Sequence, residues 1–118
     1  VSAVHAVHNF GLGHVGINSQ DSVVASGVSG ILEGLGFRLR DTEMSTFAGG
    51  VVEVMKSNYR RGHGHLALTC TSVERALVYL ERFGFSVDAS TARIEDGRIK
   101  AVYLNEELGG FAVHLLRA

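Results

Sequence analysis

The sequence predicts an α+β domain in which two βαβββ repeats join their strands into one curved mixed sheet around a cup. Three observations predict it. The chain says one phrase twice, since Gly13-His14-Val15-Gly16-Ile17-Asn18 and Gly64-His65-Leu66-Ala67-Leu68-Thr69 each set a histidine at the mouth of a short apolar run. Each run leads into a helical pattern and then into strands. Each half also closes on an apolar strand carrying one metal-capable side chain, Glu53 in Val51-Val52-Glu53-Val54-Met55 and His114 in Phe111-Ala112-Val113-His114-Leu115. A repeated supersecondary unit dictates architecture because one unit alone cannot bury its apolar face, and helices covering antiparallel strands make an α+β domain. The repeats run from about 13–56 and 63–118, after a tail at 1–12.

Composition sets the bounds. A chain of 118 residues builds one hydrophobic core. A hydrophobic fraction of 46% with 19% charged residues excludes both a disordered and a membrane-spanning chain. The net charge of -1, from 11 basic and 12 acidic residues, creates no field to gather nucleic acid or anionic lipid, so the expected partners are small molecules. The lone Cys70 has no internal disulfide partner, which fits a reducing cytoplasm. No stretch has the form of a signal peptide or the length of a membrane span. With no proline and 15 glycines, turns rest on glycine, asparagine and aspartate.

In order, Val4, Val7 and Phe10 give the tail a loose helical spacing. Gly11-Leu12-Gly13-His14-Val15-Gly16 matches G-x-G-x-x-G in letters only, because that motif must follow a strand and open a helix, whereas here its third glycine falls inside an apolar strand. Residues 13–18 are the first strand. From Asp21, the spacing of Val24, Val28, Ile31, Leu32 and Leu35 predicts a helix closed by Gly36, weakened at Gly27, Gly30 and Gly34 by roughly 1 kcal/mol each relative to alanine. Residues 37–40 alternate as a strand, and Gly49-Gly50 joins Thr46-Phe47-Ala48 to the strand 51–55. The polar stretch 56–63 connects the halves. After the strand 64–70, Thr71 and Glu74 have the spacing of a capping box. Val73, Ala76, Leu77, Leu80 and Phe83 then form one apolar helix face ending at Gly84. A short strand at 85–87 follows, then 92–95 paired with 98–104 across Asp96-Gly97, and a Gly109-Gly110 turn into the last strand.

Alternation along strands turns this outline into a site. Successive side chains point to opposite faces, so Val15, Ile17, Val52, Val54, Leu66, Leu68, Val113 and Leu115 share the helix side, while His14, Glu53, His65 and His114 share the other with the small residues Gly16, Ala67 and Ala112. Three imidazoles and one carboxylate suit a divalent transition metal such as zinc, nickel, iron, cobalt or manganese rather than calcium or magnesium. The competing reading is a polar pocket whose groups hydrogen-bond each other or water. His5, His8 and His63 read as structural or surface residues. Lys56, Tyr59, Arg60 and Arg61, on the connection, are candidates for holding the carboxylate or phosphate of an anionic ligand at the rim, against the plainer reading of a solvated loop. Tyr103 reads more simply as packing.

The paired halves, with His, Glu and His at three of four ligand places, resemble the vicinal oxygen chelate superfamily of glyoxalase I, bleomycin-resistance proteins and extradiol dioxygenases. More specifically, Ser45-Thr46-Phe47-Ala48-Gly49, Glu53-Val54-Met55-Lys56-Ser57, Gly64-His65-Leu66-Ala67, Lys100-Ala101-Val102-Tyr103-Leu104 and Gly109-Gly110-Phe111-Ala112-Val113-His114-Leu115-Leu116 resemble the C-terminal extension of bacterial keto-hydroxyglutarate/keto-deoxy-phosphogluconate aldolases. The resemblance implies an upstream aldolase barrel whose last helix Val1 to Phe10 would continue, with the aldol chemistry on a lysine there. It also implies a metal at His14, Glu53, His65 and His114. Glyoxalase I-like members carry a mobile glutamate at the fourth place, where this chain has His114, so Glu53 is the one carboxylate base at the metal.

The expected function is a glyoxalase-like metal- and ligand-binding domain accessory to a lyase of the aldolase family. The alternatives are a metal-dependent lyase, isomerase or dioxygenase acting on a small keto or hydroxy acid, and a structural module through which the parent oligomerises. A homodimer in the cytoplasm is expected, with no nucleic-acid or membrane partner.

Overall fold

A computed structural model describes residues 3–60 and 62–118. In chain order it has α1 (Ala3–His8), β1 (Gly11–Ile17), α2 (Ser22–Gly34), β2 (Leu39–Asp41), β3 (Ser45–Ala48), β4 (Val52–Met55), β5 (Gly64–Cys70), α3 (Val73–Leu80) with a 3-10 turn at Glu81–Phe83, β6 (Val87–Glu95), β7 (Arg98–Leu108) and β8 (Phe111–Arg117). The strands form one sheet in the order β2-β3-β4-β1-β5-β8-β7-β6. That order is a palindrome of the two βαβββ units, with β1 and β5 antiparallel at its centre and parallel β1/β4 and β5/β8 pairs on either side. The expected α+β architecture is the observed one.

The register at the centre defines a local two-fold. His14 stands opposite Ala67 and Gly16 opposite His65, so each histidine faces a small residue across the β1/β5 seam. Continuing outward, Gly16 pairs with Glu53 and His65 with Ala112, while Ala67 pairs with His114 and His114 with Tyr103. Two cross-strand rows therefore run through the cup, Phe47-Glu53-Gly16-His65-Ala112 and His14-Ala67-His114-Tyr103.

Helix α2 begins and ends where its sequence says. The Asp21 carboxylate accepts hydrogen bonds from the Val23 and Val24 amides, an N-cap that satisfies two otherwise unpaired donors. Gly36, at φ 102, closes α2 with its amide bonded to the Glu33 carbonyl and that of Phe37 to the Leu32 carbonyl, the paired bonds of a Schellman motif. At α3 the cap is one residue later than the expected Thr71. Thr71 gives its amide to the His8 carbonyl and Ser72 is still extended, so Ser72 Oγ accepts from the Arg75 amide at 3.3 Å. Glu74 consequently does not reach back to the cap and instead accepts the Ile99 amide at 2.8 Å.

The core is unevenly shared. Cys70, Val73, Ala76, Val102, Leu104, Val113 and Leu115 form the buried cluster, all from the second repeat, with Phe10, Leu77, Leu80 and Phe85 packed against it. Helix α2 buries only Ala25 and Ser29, leaving Val24, Ile31 and Leu35 exposed, contrary to the expected apolar face. Phe83 is likewise exposed and leans edge-on against Tyr79. The short strand expected at 85–87 and the one at 92–95 are a single strand, β6, with Phe85 outside it, and Val51 belongs to the Gly49-Gly50 turn rather than to β4. No helix described is long and apolar enough to cross a membrane.

Candidate metal and ligand site

The concave face opposite the buried cluster holds a cavity of about 680 Å3. His14, Glu53 and His65 converge in it: Glu53 Oε1 is 3.3 Å from His14 Nε2 and 3.0 Å from His65 Nε2, and the two Nε2 atoms are 3.2 Å apart. Small residues make this closure sterically feasible. Gly16 lies beneath the His65 ring, and a Cβ added there would collide with that ring. Ser45 Oγ donates to Glu53 Oε2 at 2.7 Å, so one carboxylate oxygen is anchored and the other faces the histidines.

The electrostatics follow from these contacts. Burial opposes the charge on Glu53, but hydrogen bonds from His14, His65 and Ser45 outweigh it and hold the carboxyl well below the usual range. His114 lies in the same cup, its ring 4.0 Å from that of Tyr103 and parallel to it, and 6.2 Å from the His65 ring. Burial, helped by the nearby His65, His14 and Arg93, pushes its pKa down to about 4, so it is a neutral imidazole at pH 7. Burial, with Tyr59 and Glu53 adding to it, pushes the Tyr103 phenol up, so it keeps its proton.

Of the sequence candidates, His14, Glu53 and His65 come within reach of a common ion. His114 stands beside that group, on the two-fold position equivalent to Glu53. On the connection, Tyr59 lines the cavity and sits 5.8 Å from Tyr103. Arg60 is tied to Asp88 at 3.3 Å and to the Leu104 carbonyl, with its guanidinium over the Tyr103 ring. Lys56 bonds Asp41 at 2.9 Å and the Thr42 carbonyl and lies outside the cavity lining. Arg61 falls outside the described residues. His8 is buried against Phe10 and Tyr79, and His63 is exposed.

Ser45, Tyr103 and Arg93 are cup residues that sequence reading passed over or took for packing. Ser45 was legible, because it shares a face of β3 with Phe47, the cross-strand partner of Glu53. Arg93 was not, because the register of β6 breaks between Asp88 and Arg93 and alternation cannot be carried through the break.

The fold is glyoxalase-like, a cupped sheet of paired βαβββ units with a His-Glu-His cluster on its concave face. Solved structures share it. Methylmalonyl-CoA epimerase from Mycobacterium tuberculosis superposes with a TM-score of 0.62 at 17% identity over 91% of this chain and 87% of that one. A hypothetical protein from Bacillus halodurans C-125 gives a TM-score of 0.60 at 14% identity over 92% and 94%. No family model and no curated protein matches the sequence.

Proposed function

We propose that this chain is a glyoxalase-like domain that holds one divalent transition metal through His14, Glu53 and His65, with His114 at the fourth place, and presents it to a small keto or hydroxy acid in the cup. The observation that carries the proposal is the closed triangle of donors at 3.0, 3.2 and 3.3 Å. Ligands bound to one ion at about 2.0–2.2 Å are themselves separated by about 3.0–3.5 Å. The donor set of two imidazoles and a carboxylate is borderline-soft and suits zinc, nickel, iron, cobalt or manganese.

When bound, such an ion would polarise a carbonyl or enolate oxygen of the acid. The chain's own residues do the rest. Ser45 fixes Glu53, Gly16 makes room for His65, neutral His114 offers a lone pair, and protonated Tyr103 offers a donor to an oxygen in the cup. With Ser45 anchoring one carboxylate oxygen and the other facing the metal position, Glu53 is restrained as a proton shuttle, which favours binding over glyoxalase-type turnover.

That balance supports the accessory role implied by the resemblance to an aldolase extension. The chain's two lysines are Lys56, bonded to Asp41, and Lys100, bonded to the Arg117 carbonyl, and neither lines the cup. The cup thus has no amine for a Schiff base.

The test is elemental analysis of protein purified without chelator or nickel resin. One equivalent of a transition metal is expected in the wild type and less than a tenth of that in His65→Ala. A metal-free wild type that takes up none of the five ions overturns the proposal.

A further inference from the structure

Strand β6 departs from its partner in the middle. Asp88 pairs with Tyr103 and Arg93 with Ala101, so five steps along β6 span only two along β7. A bulge of this kind bends a strand and re-aims its side chains. This one is built rather than slack: Asp88 Oδ1 accepts from both the amide and the hydroxyl of Ser90, the Asp88 carbonyl accepts the Thr91 hydroxyl, and Thr91 Oγ1 accepts the Tyr103 amide. Arg60 fixes Asp88 from the other side with two hydrogen bonds of 3.3 Å.

The consequence is that Ser90, Thr91 and Arg93 all line the cup. Arg93 is the one lysine or arginine among the lining residues, and no carboxylate pairs with it among the described residues. It lies close enough to His114 for its charge to help keep that imidazole neutral. A guanidinium over a concave polar site, with its acid partner absent and its loop braced, is arranged to receive an anion, for which its planar fork is suited.

Its place in the sheet sets the length of what it receives. β6 is three strands from β5, about 14 Å along the sheet at ordinary strand spacing, and cup curvature and the long side chain shorten that span without closing it. We propose that Arg93 binds the distal anionic group, carboxylate or phosphate, of an acid whose other end presents its oxygens to His14, Glu53 and His65. The ligand class is therefore a small acid with a second anionic group several atoms from its keto or hydroxy oxygen. This rests on the metal reading above.

Titration calorimetry on the zinc-loaded wild type and Arg93→Ala proteins tests it with 2-oxoglutarate, with 2-oxopentanoate, the same five-carbon chain lacking the distal carboxylate, and with 3-phosphoglycerate as the phosphate-tailed probe. The wild type is expected to bind 2-oxoglutarate or 3-phosphoglycerate about 10- to 100-fold tighter than 2-oxopentanoate. Whichever doubly anionic probe binds tighter identifies the anion. Arg93→Ala should lose that margin with zinc stoichiometry and 2-oxopentanoate affinity unchanged, and Arg93→Lys should regain part of it. Equal affinity for charged and neutral tails, or no binding of either anionic probe, overturns the assignment of Arg93 even where zinc binds. Failure to load zinc overturns the metal reading instead, and the anion preference is then read on the metal-free protein.

Discussion

The two halves of the molecule are the same device used for different ends. On the two-fold, His14 matches His65, Glu53 matches His114, and Phe47, edge-on to His14, matches Tyr103, edge-on to His65. Arg40 sits 4.6 Å over the Phe47 ring as Arg60 sits 4.3 Å over that of Tyr103. The matched positions differ in chemistry: the first half puts a carboxylate beside the histidines and anchors it with Ser45, whereas the second puts a neutral imidazole stacked on a phenol. They differ more in packing. The second half contains the buried cluster, and the first carries a helix whose Val23 and Ile31 are mostly in water. A duplicated architecture thus lets one half supply rigidity while the other supplies the charged donor.

The sharpest way to break this comparison is to remove core from the second half. Leu115 is fully buried between β5 and β7, and Leu115→Ala is expected to cost about 2–5 kcal/mol through lost burial and a residual cavity. Ile31→Ala on α2, where the side chain is 68% exposed, should stay within about 0.5 kcal/mol. Urea melts of the two variants measure the contrast, and equal losses would show that Ile31 is covered in solution.

Next in size is Gly16→Ala. The new methyl must displace the His65 ring, whose Cε1, Nδ1 and Nε2 atoms it would meet. Metal affinity should fall by about 10- to 100-fold, the range found when support of a ligand is lost. The equivalent change on the other side of the two-fold is already present in nature's choice of Ala67 opposite His14, so the halves are not interchangeable at this point. Unaltered zinc affinity in Gly16→Ala would mean that His65 binds from another rotamer.

Acid should weaken the metal-free protein through the second half first. His114 titrates near 4 when folded against an ordinary 6.5. Because its folded value is depressed, the unfolded chain binds the proton first: the stability present above pH 6.5 declines as pH falls from there towards 4, by about 2 kcal/mol after allowance for its partial exposure. Glu53, also depressed, adds its loss only below its ordinary 4.5. His114→Phe keeps the stack on Tyr103 and removes the titration, so its melting temperature should be flatter between pH 7 and 5 than that of the wild type. Identical pH profiles would show that His114 does not set the decline.

Sequence alone reached the architecture because the repeat, the glycine turns and period-two alternation are local signals that the fold obeys. It put His14, Glu53 and His65 on one face for the same reason, since β1, β4 and β5 pair in register there. It failed where pairing slips or packing overrides pattern. The β6 bulge hid Arg93, the extended Ser72 moved the α3 cap, and α2 buried the small Ala25 and Ser29 instead of its larger neighbours. Helix α2 thus buries two small residues while Val24, Ile31 and Leu35 face outward.

The smallest effect sharpens this point. Gly27 and Gly30 lie inside α2, and a Cβ at either would meet nothing within 4 Å. Neither has a positive φ. Alanine at these positions therefore reduces the freedom of the unfolded chain without straining the folded one, and each substitution should stabilise by about 0.5–1 kcal/mol. Gly16 and Gly27 make the control for each other, one glycine required by the ring above it and one merely tolerated on an open helix face. If Gly27→Ala or Gly30→Ala destabilises the protein in a urea melt, the outward face of α2 is covered by something in solution, and the contrast between a packed half and an open half must be redrawn.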